Sequence, residues 1–134
     1  MYLSILNNRE KQLFLGLAYG LAAFDGEYSE QEQAMIHGYC EEVQMEFQEE
    51  TMVKPLDDII EIFKENSSER IKKIVIFEAI GLAMADNNYQ DSERNVILKM
   101  EEEFQLEKGF AQKCEALLDE YIVFQNRVNE LVLK

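Results

Sequence analysis

The chain lacks most of the residues on which several protein classes depend. It has no Trp, one Pro, one His, two Cys and six Gly among 134 residues. So few Gly and Pro disfavour an all-β protein, which needs many turns. The usual zinc and di-iron ligand sets are disfavoured, because there is one His and the two Cys are far apart in sequence. We interpret Cys40 and Cys114 as reduced, buried thiols, and a disulfide stays an alternative because sequence fixes no distance.

Basic residues are also scarce. The chain has 13 Lys and Arg against 27 Asp and Glu, a net charge of −14. Such a surface repels phosphate backbones and anionic headgroups, so we expect neither nucleic acid nor a lipid surface as a partner. No Lys or Arg lies between Gln12 and Val53, whereas nine acidic residues lie between Asp25 and Glu50. This segment is either a solvated acidic face or a surface for a cation or a basic partner.

Long hydrophobic runs are absent. No apolar stretch approaches the roughly 18 residues of a membrane helix, and the first residues do not resemble a signal peptide. Hydrophobic residues nevertheless make up 47% of the chain, which excludes a disordered protein. We therefore expect one domain over residues 1–134, in a cytoplasmic protein of bacterial type without direct membrane insertion.

What the chain does have is apolar residues at helical spacing throughout. Polar capping residues precede the periodic segments, as expected at helix N-termini. The pattern predicts an all-α compact bundle of about six to eight helices. Start signals lie at Asn7 or Asn8, Ser29 with Glu32, Pro55, Ser67 or Ser68, Asp91 and Glu107.

The sequence also contains an internal repeat. An ungapped offset of 61 residues aligns residues 10–45 with 71–106, with ten identities in the 26 positions from Gly20 to Met45. Each copy predicts a helix, a short acidic loop and a second helix. Two such pairs can share one core, so we expect two helix-loop-helix repeats packed into a single bundle.

The two loop phrases carry a family resemblance. LAAFDGEYSEQE at 21–32 and LAMADNNYQDSE at 82–93 resemble the helix-loop-helix signature of the TerB-like family of tellurite-resistance proteins, over roughly residues 8–130. Related domains lie beside the J-domain of some bacterial membrane co-chaperones. The resemblance implies an all-helical domain with no common enzymatic reaction, associated with stress-response systems. It also implies a set of acidic residues suggested to bind metal.

Carried over by position, the acidic set is Asp25 and Glu32 in the first phrase and Asp86 and Glu93 in the second. Oxygen-only ligation would suit Mg²⁺, Ca²⁺ or Mn²⁺. The second phrase departs from the family pattern by having Asn87 where Gly is usual. Helix capping alone explains the glutamates. It explains the aspartates poorly, because a carboxylate in the last turn of a helix faces the negative end of the helix dipole. This placement destabilises the helix by about 0.3–1 kcal/mol.

Other chemistry finds little support in the sequence. An EF-hand needs Gly and Glu at the sixth and twelfth loop positions, and neither phrase has them. There is no phosphate-binding loop and no nucleophile motif of the G-x-S-x-G type. The sequence therefore predicts a non-enzymatic interaction module with protein partners of unknown identity. The alternatives are a carboxylate-based metal sensor and, third, a metal-assisted hydrolase.

Overall fold

Six α-helices and one short 3₁₀ helix form the described part of the molecule. The computed structural model describes residues 1–23, 30–46, 54–84, 89 and 91–134, without the side chain of Gln31. No β-strand occurs in these ranges, so the all-α prediction is confirmed. The 3₁₀ helix Leu3–Ile5 is followed by α1 (Asn8–Ala22), α2 (Glu30–Val43), α3 (Leu56–Asn66), α4 (Glu69–Ala83), α5 (Asp91–Glu103) and α6 (Phe110–Val132).

The centre of the bundle is the pair α1 and α4. Helix α1 packs against α2, α3 and α4, and α4 packs in addition against α5 and α6. Both central helices therefore bury apolar residues on more than one face, as expected of helices with neighbours on several sides. Phe14, Leu17, Phe63 and Ile76 are fully buried in this core. Truncating a buried Phe such as Phe63 to Ala typically costs about 3–5 kcal/mol.

Helix bounds follow the 61-residue offset. Helix α1 runs from 8 to 22 and α4 from 69 to 83, so both ends differ by 61. Helix α2 begins at 30 and α5 at 91, again 61 apart. The N-caps of α1 and α4, Asn7 and Ser68, differ by the same number. Superposition of 10–45 on 71–106 stays a prediction that these bounds support.

The predicted N-caps of α1 and α4 are confirmed. Asn7 Oδ1 accepts a hydrogen bond from the Glu10 N–H at 2.8 Å, and the Asn7 N–H donates to Glu10 Oε1 at 2.9 Å. Ser68 Oγ accepts from the Ile71 N–H at 3.2 Å. The second Glu10 oxygen accepts from the Ser67 hydroxyl at 2.7 Å, so one buried carboxylate links the start of α1 to the turn between α3 and α4.

Two helix starts differ from the sequence prediction. Pro55 is the N-cap of α3, one residue before the helix, because its ψ of 140° is extended. The last helix begins at Phe110 rather than near Glu107, after Gly109 with a left-handed φ of 93°. The buried Glu101 carboxylate accepts from the Ala111 N–H at 2.7 Å and thereby caps this helix from α5. The predicted start signal at Ser29 lies outside the described residues, and so does Asn87 of the second phrase.

Two further expectations concern the state of the two thiols and the absence of a membrane helix. Both Cys are free; Cys114 is buried, as predicted, whereas Cys40 is only half-buried. None of the helices in the described ranges is long and apolar enough to cross a membrane.

Candidate functional site

The two predicted glutamate ligands lie at corresponding places in the bundle. Glu32 is in the first turn of α2 and Glu93 in the first turn of α5, 61 residues apart. Their exposed fractions are 6% and 4%. A carboxylate is stabilised near a helix N-terminus, but burial is costly unless it has partners. Neither side chain is without an interaction partner. The positions are therefore specific and buried, not solvated parts of an acidic face.

The two predicted aspartate ligands, Asp25 and Asp86, lie outside the described residues. Among the described ones, no three His, Cys, Asp or Glu side chains are grouped so that they could hold a metal ion. Two of the four predicted ligands are not among these residues. Convergence of Asp25, Glu32, Asp86 and Glu93 on one cation stays a prediction.

The surroundings of Glu93 connect the second phrase to α6. Burial, and after it the charge of Glu115, raises the pKa of the Tyr89 hydroxyl above its usual range; Glu93 adds to the effect and Arg94 opposes it. The Tyr89 hydroxyl oxygen is buried and has no hydrogen bond of normal geometry to a described residue. Arg94 Nε and Nη2 donate to the two Glu115 oxygens at 3.0 and 3.3 Å, which fastens α5 to α6.

A second acidic pair surrounds the amino terminus. The Met1 ammonium lies 3.0 Å from both Glu42 Oε1 and Glu78 Oε1. The Tyr2 N–H donates to Glu78 at 2.8 Å and the Leu3 N–H to Glu42 at 3.1 Å. Burial lowers the pKa of the amino group, but the hydrogen bonds and charges of the two carboxylates outweigh it and raise the pKa. These carboxylates hold the 3₁₀ helix against α2 and α4.

A cleft along α2 contains the only His. Its volume is about 670 Å³, and its lining includes Ile36, His37, Cys40 and Met45. His37 Nε2 lies 3.2 Å from Glu41 Oε1, and both side chains are largely exposed. An exposed ion pair of this kind contributes about 0–1 kcal/mol. The pair is an ordinary contact between successive helical turns.

An apolar groove lies between the 3₁₀ helix, α4 and α6. Its volume is about 620 Å³, and its lining includes charged residues of α4. The rings of Tyr2 and Phe77 meet edge to face with centroids 5.8 Å apart. The Lys73 ammonium lies 6.0 Å from the Phe110 ring centroid, within reach of a cation–π contact. The apolar lining consists of Tyr2, Ile5, Ile74, Phe77, Phe110, Cys114 and Leu117.

The apolar surface continues from this groove along α6. Of the helix's 23 residues only Ala111 and Cys114 are buried. From Val123 onward every residue except the half-buried Val128 is exposed. Helical spacing predicted apolar positions here but not their exposure, because spacing does not show what covers a face. The large exposed apolar residues of α6 are Leu117, Tyr121, Val123, Phe124, Leu131 and Val132.

Comparison of the chain with protein-family models, with curated proteins and with solved structures finds no match. The TerB-like assignment therefore stays a prediction from the two loop phrases.

Proposed function

We propose that this chain is a non-catalytic interaction module that assembles with protein partners through the apolar surface of α6 and the adjoining groove. The observation that carries the proposal is the exposure of large apolar side chains such as Leu117, Tyr121 and Phe124 on one helix. Folded domains rarely leave a contiguous apolar patch open, and such patches commonly mark binding sites. Tyr and Phe are also enriched at protein interfaces.

The reactive residues of the described chain support a non-catalytic role. His37 is an exposed partner of Glu41. Burial raises the pKa of the Cys114 thiol to about 11, so near neutral pH this sulfur is protonated and a poor nucleophile. The net charge of −14 disfavours a nucleic acid partner. A protein partner agrees best with these features.

The biological setting we propose is a bacterial stress response of the tellurite-resistance type. It rests on the resemblance of the phrases at 21–32 and 82–93 to the TerB-like family. The cytoplasm is the corresponding location.

Photo-crosslinking tests the interaction role directly. A photoreactive amino acid replaces Leu117 on the α6 surface or, as the control, Asp58 on the exposed side of α3. We expect covalent protein adducts in living host cells from position 117 and few from position 58. Equal adduct yields, or no adduct at 117, would contradict the proposal. The mass of the adduct shows whether the partner is a second copy or a different protein.

A second candidate function is binding of a divalent cation, structurally or as a sensor. Glu32 and Glu93 favour it, because they are buried acids at corresponding repeat positions. Asp25 and Asp86 are the proposed additional ligands. The two functions are compatible, since a cation at the loops leaves the α6 surface free to bind a protein.

A further inference from the structure

Six apolar residues of α6, four of them exposed, follow a heptad pattern. Successive spacings of three, four, three, four and three residues are those of the a and d positions of a coiled coil. We name these six residues the α6 seam. All are apolar; they are Cys114, Leu117, Tyr121, Phe124, Val128 and Leu131.

The seam starts on the inward face of α6, at the buried Cys114, and its later residues lie beside that face. At about 100° per residue, Leu117, Tyr121 and Phe124 project roughly 80° to 140° away from Ala111 on one side. Ala111 is buried against the bundle, whereas Phe124 is 63% exposed. The seam is thus directed at the space next to the groove, where a second helix could lie against both α6 and α4.

We propose that a second copy of this chain occupies that space, with the two α6 helices antiparallel. This inference rests on the proposed interaction role and specifies its partner. In an antiparallel pair, a positions meet d positions, so Tyr121 lies opposite Phe124 of the second copy, and Leu117 opposite Val128. The contact is self-complementary, as a twofold dimer requires. Each seam covers the other.

Charges beside the seam favour the antiparallel direction. The flanking g positions include Glu120 and Arg127. In the antiparallel register Glu120 of each copy faces Arg127 of the other, which gives two opposite-charge pairs. In a parallel dimer g positions face e positions, here Leu118, Gln125 and Val132, so no opposite-charge pair forms.

The outer g positions hold two lysines that would face each other. Lys113 already lies 3.3 Å from Glu107, and Lys134 lies 3.4 Å from Glu130. Their charges are therefore offset within each chain. The central Glu120 and Arg127 pairs decide the direction.

The same register places part of the second copy over the apolar groove. Leu131 of the second copy lies opposite Cys114, which lines the groove together with Phe77 and Phe110. The last turns of each α6 thus pass along the groove of the other copy. An arrangement of this kind covers Leu131, which is 84% exposed in the single chain.

Solution mass and matched variants test the dimer. We expect sedimentation to give twice the 15.7 kDa chain mass. Phe124→Asp, in the seam, should raise the dimer Kd at least about tenfold, equivalent to about 1.4 kcal/mol. Val123→Asp is the control, because Val123 is similarly exposed, at 58%, but lies off the seam. Circular dichroism should show both variants equally helical.

Charge reversal tests the direction. Glu120→Arg or Arg127→Glu alone should weaken the dimer by about tenfold, since each affects two exposed pairs. The double variant should restore the wild-type Kd. As an independent test, Cys40→Ala with Cys114→Ala gives a background free of other thiols. In it, Leu117→Cys chains mixed with Val128→Cys chains should form the mixed disulfide.

Three results would overturn the proposal. They are a monomeric mass at every concentration, equal effects of Phe124→Asp and Val123→Asp, and disulfides formed only between identical positions. If the protein is a monomer that still cross-links from position 117 to a different protein, the homodimer proposal is wrong and the proposed interaction role stands. A monomer without adducts would remove both.

Discussion

Gln44 and Gln105 end corresponding helices with the same backbone conformation. Both have positive φ, 58° and 55°, and no other described residue except Gly109 does. In each case the N–H of the following residue donates to the carbonyl five residues earlier, at 3.0 Å after Gln44 and 3.1 Å after Gln105. This is a Schellman-type helix end, usually made by Gly. The two repeats thus stop their second helices in the same way with the same unusual residue.

Replacing either glutamine by Gly should stabilise the protein. The left-handed conformation costs a residue with a side chain about 1–2 kcal/mol. Gly avoids that cost, but part of the gain is lost because Gly gives the unfolded chain more conformational entropy. For Gln105→Gly we expect an increase of about 0.5–1 kcal/mol in the free energy of unfolding, measured by urea denaturation. Gln12→Gly is the control, because Gln12 is exposed inside α1. It should destabilise by about 1 kcal/mol. Losses of equal size in both variants would contradict the prediction.

Corresponding glycines in α1 and α4 should respond differently to Ala. A Cβ at Gly20 would lie 2.6 Å from Leu56 Cδ2, whereas a Cβ at Gly81 meets no described atom within 4 Å. Gly81→Ala should therefore gain up to about 1 kcal/mol of helix propensity. Gly20→Ala should gain less or lose stability, because Leu56 of α3 must move. Thermal unfolding of the two variants measures the difference. A larger gain at Gly20 would show that close approach of α3 is not the reason for this glycine.

Local signals were predictable from sequence, and long-range ones were not. Asn7 and Ser68 cap helices through residues three positions away, so their side chains and spacing were sufficient. The buried Glu78 carboxylate accepts a hydrogen bond from the Tyr2 N–H, 76 residues earlier, and no local pattern predicts such a contact. The predicted pair Asp25 and Asp86 has no described surroundings that could test it. Helical spacing likewise could not separate the inward face of α6 from its seam, because both are apolar.

Glu101 should contribute to stability as the cap of α6. Its carboxylate is buried and accepts from the Ala111 N–H at 2.7 Å. Glu101→Ala leaves that N–H buried without its acceptor, so we expect a loss of about 1–3 kcal/mol in urea denaturation. Glu101→Gln keeps an acceptor and should lose less. Glu102→Ala is the neighbouring control, because Glu102 is exposed and its removal should change stability by less than about 0.5 kcal/mol. Similar losses for Glu101→Ala and Glu102→Ala would exclude the capping role.

The Cys114 thiol should react slowly in the folded protein. Burial, followed by the charges of Glu101 and Glu115, raises its pKa from 9.0 to about 11. The rate of Cys114 alkylation is measured by mass spectrometry as a function of pH, in a Cys40→Ala background. In the folded protein the rate should rise until the pH reaches about 11, whereas in urea it should level off at about 9. The folded state binds this proton more tightly than the unfolded chain does. Its contribution to the free energy of unfolding is therefore fully present below pH 9 and decreases as the pH rises toward 11. Coincident folded and urea profiles would contradict the raised pKa.

A divalent cation should raise the melting temperature through the two loop phrases. Mg²⁺, Ca²⁺ or Mn²⁺ at 100 times its Kd would stabilise the folded state by about 2.7 kcal/mol if it does not bind the unfolded chain. For a chain of this length each kcal/mol corresponds to roughly 4 °C. Asp25→Asn combined with Asp86→Asn should abolish the shift, because these carboxylates are the proposed ligands with Glu32 and Glu93.

The control for this experiment removes the same number of charges, but from the starts of α2 and α5. Glu30 and Asp91 also occupy corresponding positions, 61 residues apart, but their side chains are exposed. Glu30→Gln combined with Asp91→Asn should leave the cation-induced shift intact. If the control pair loses the shift as fully as the Asp25 and Asp86 pair, the cation only screens the −14 charge. A shift that survives Asp25→Asn with Asp86→Asn would place the cation elsewhere, and the buried Glu32 and Glu93 would then be helix-terminal acids without a metal.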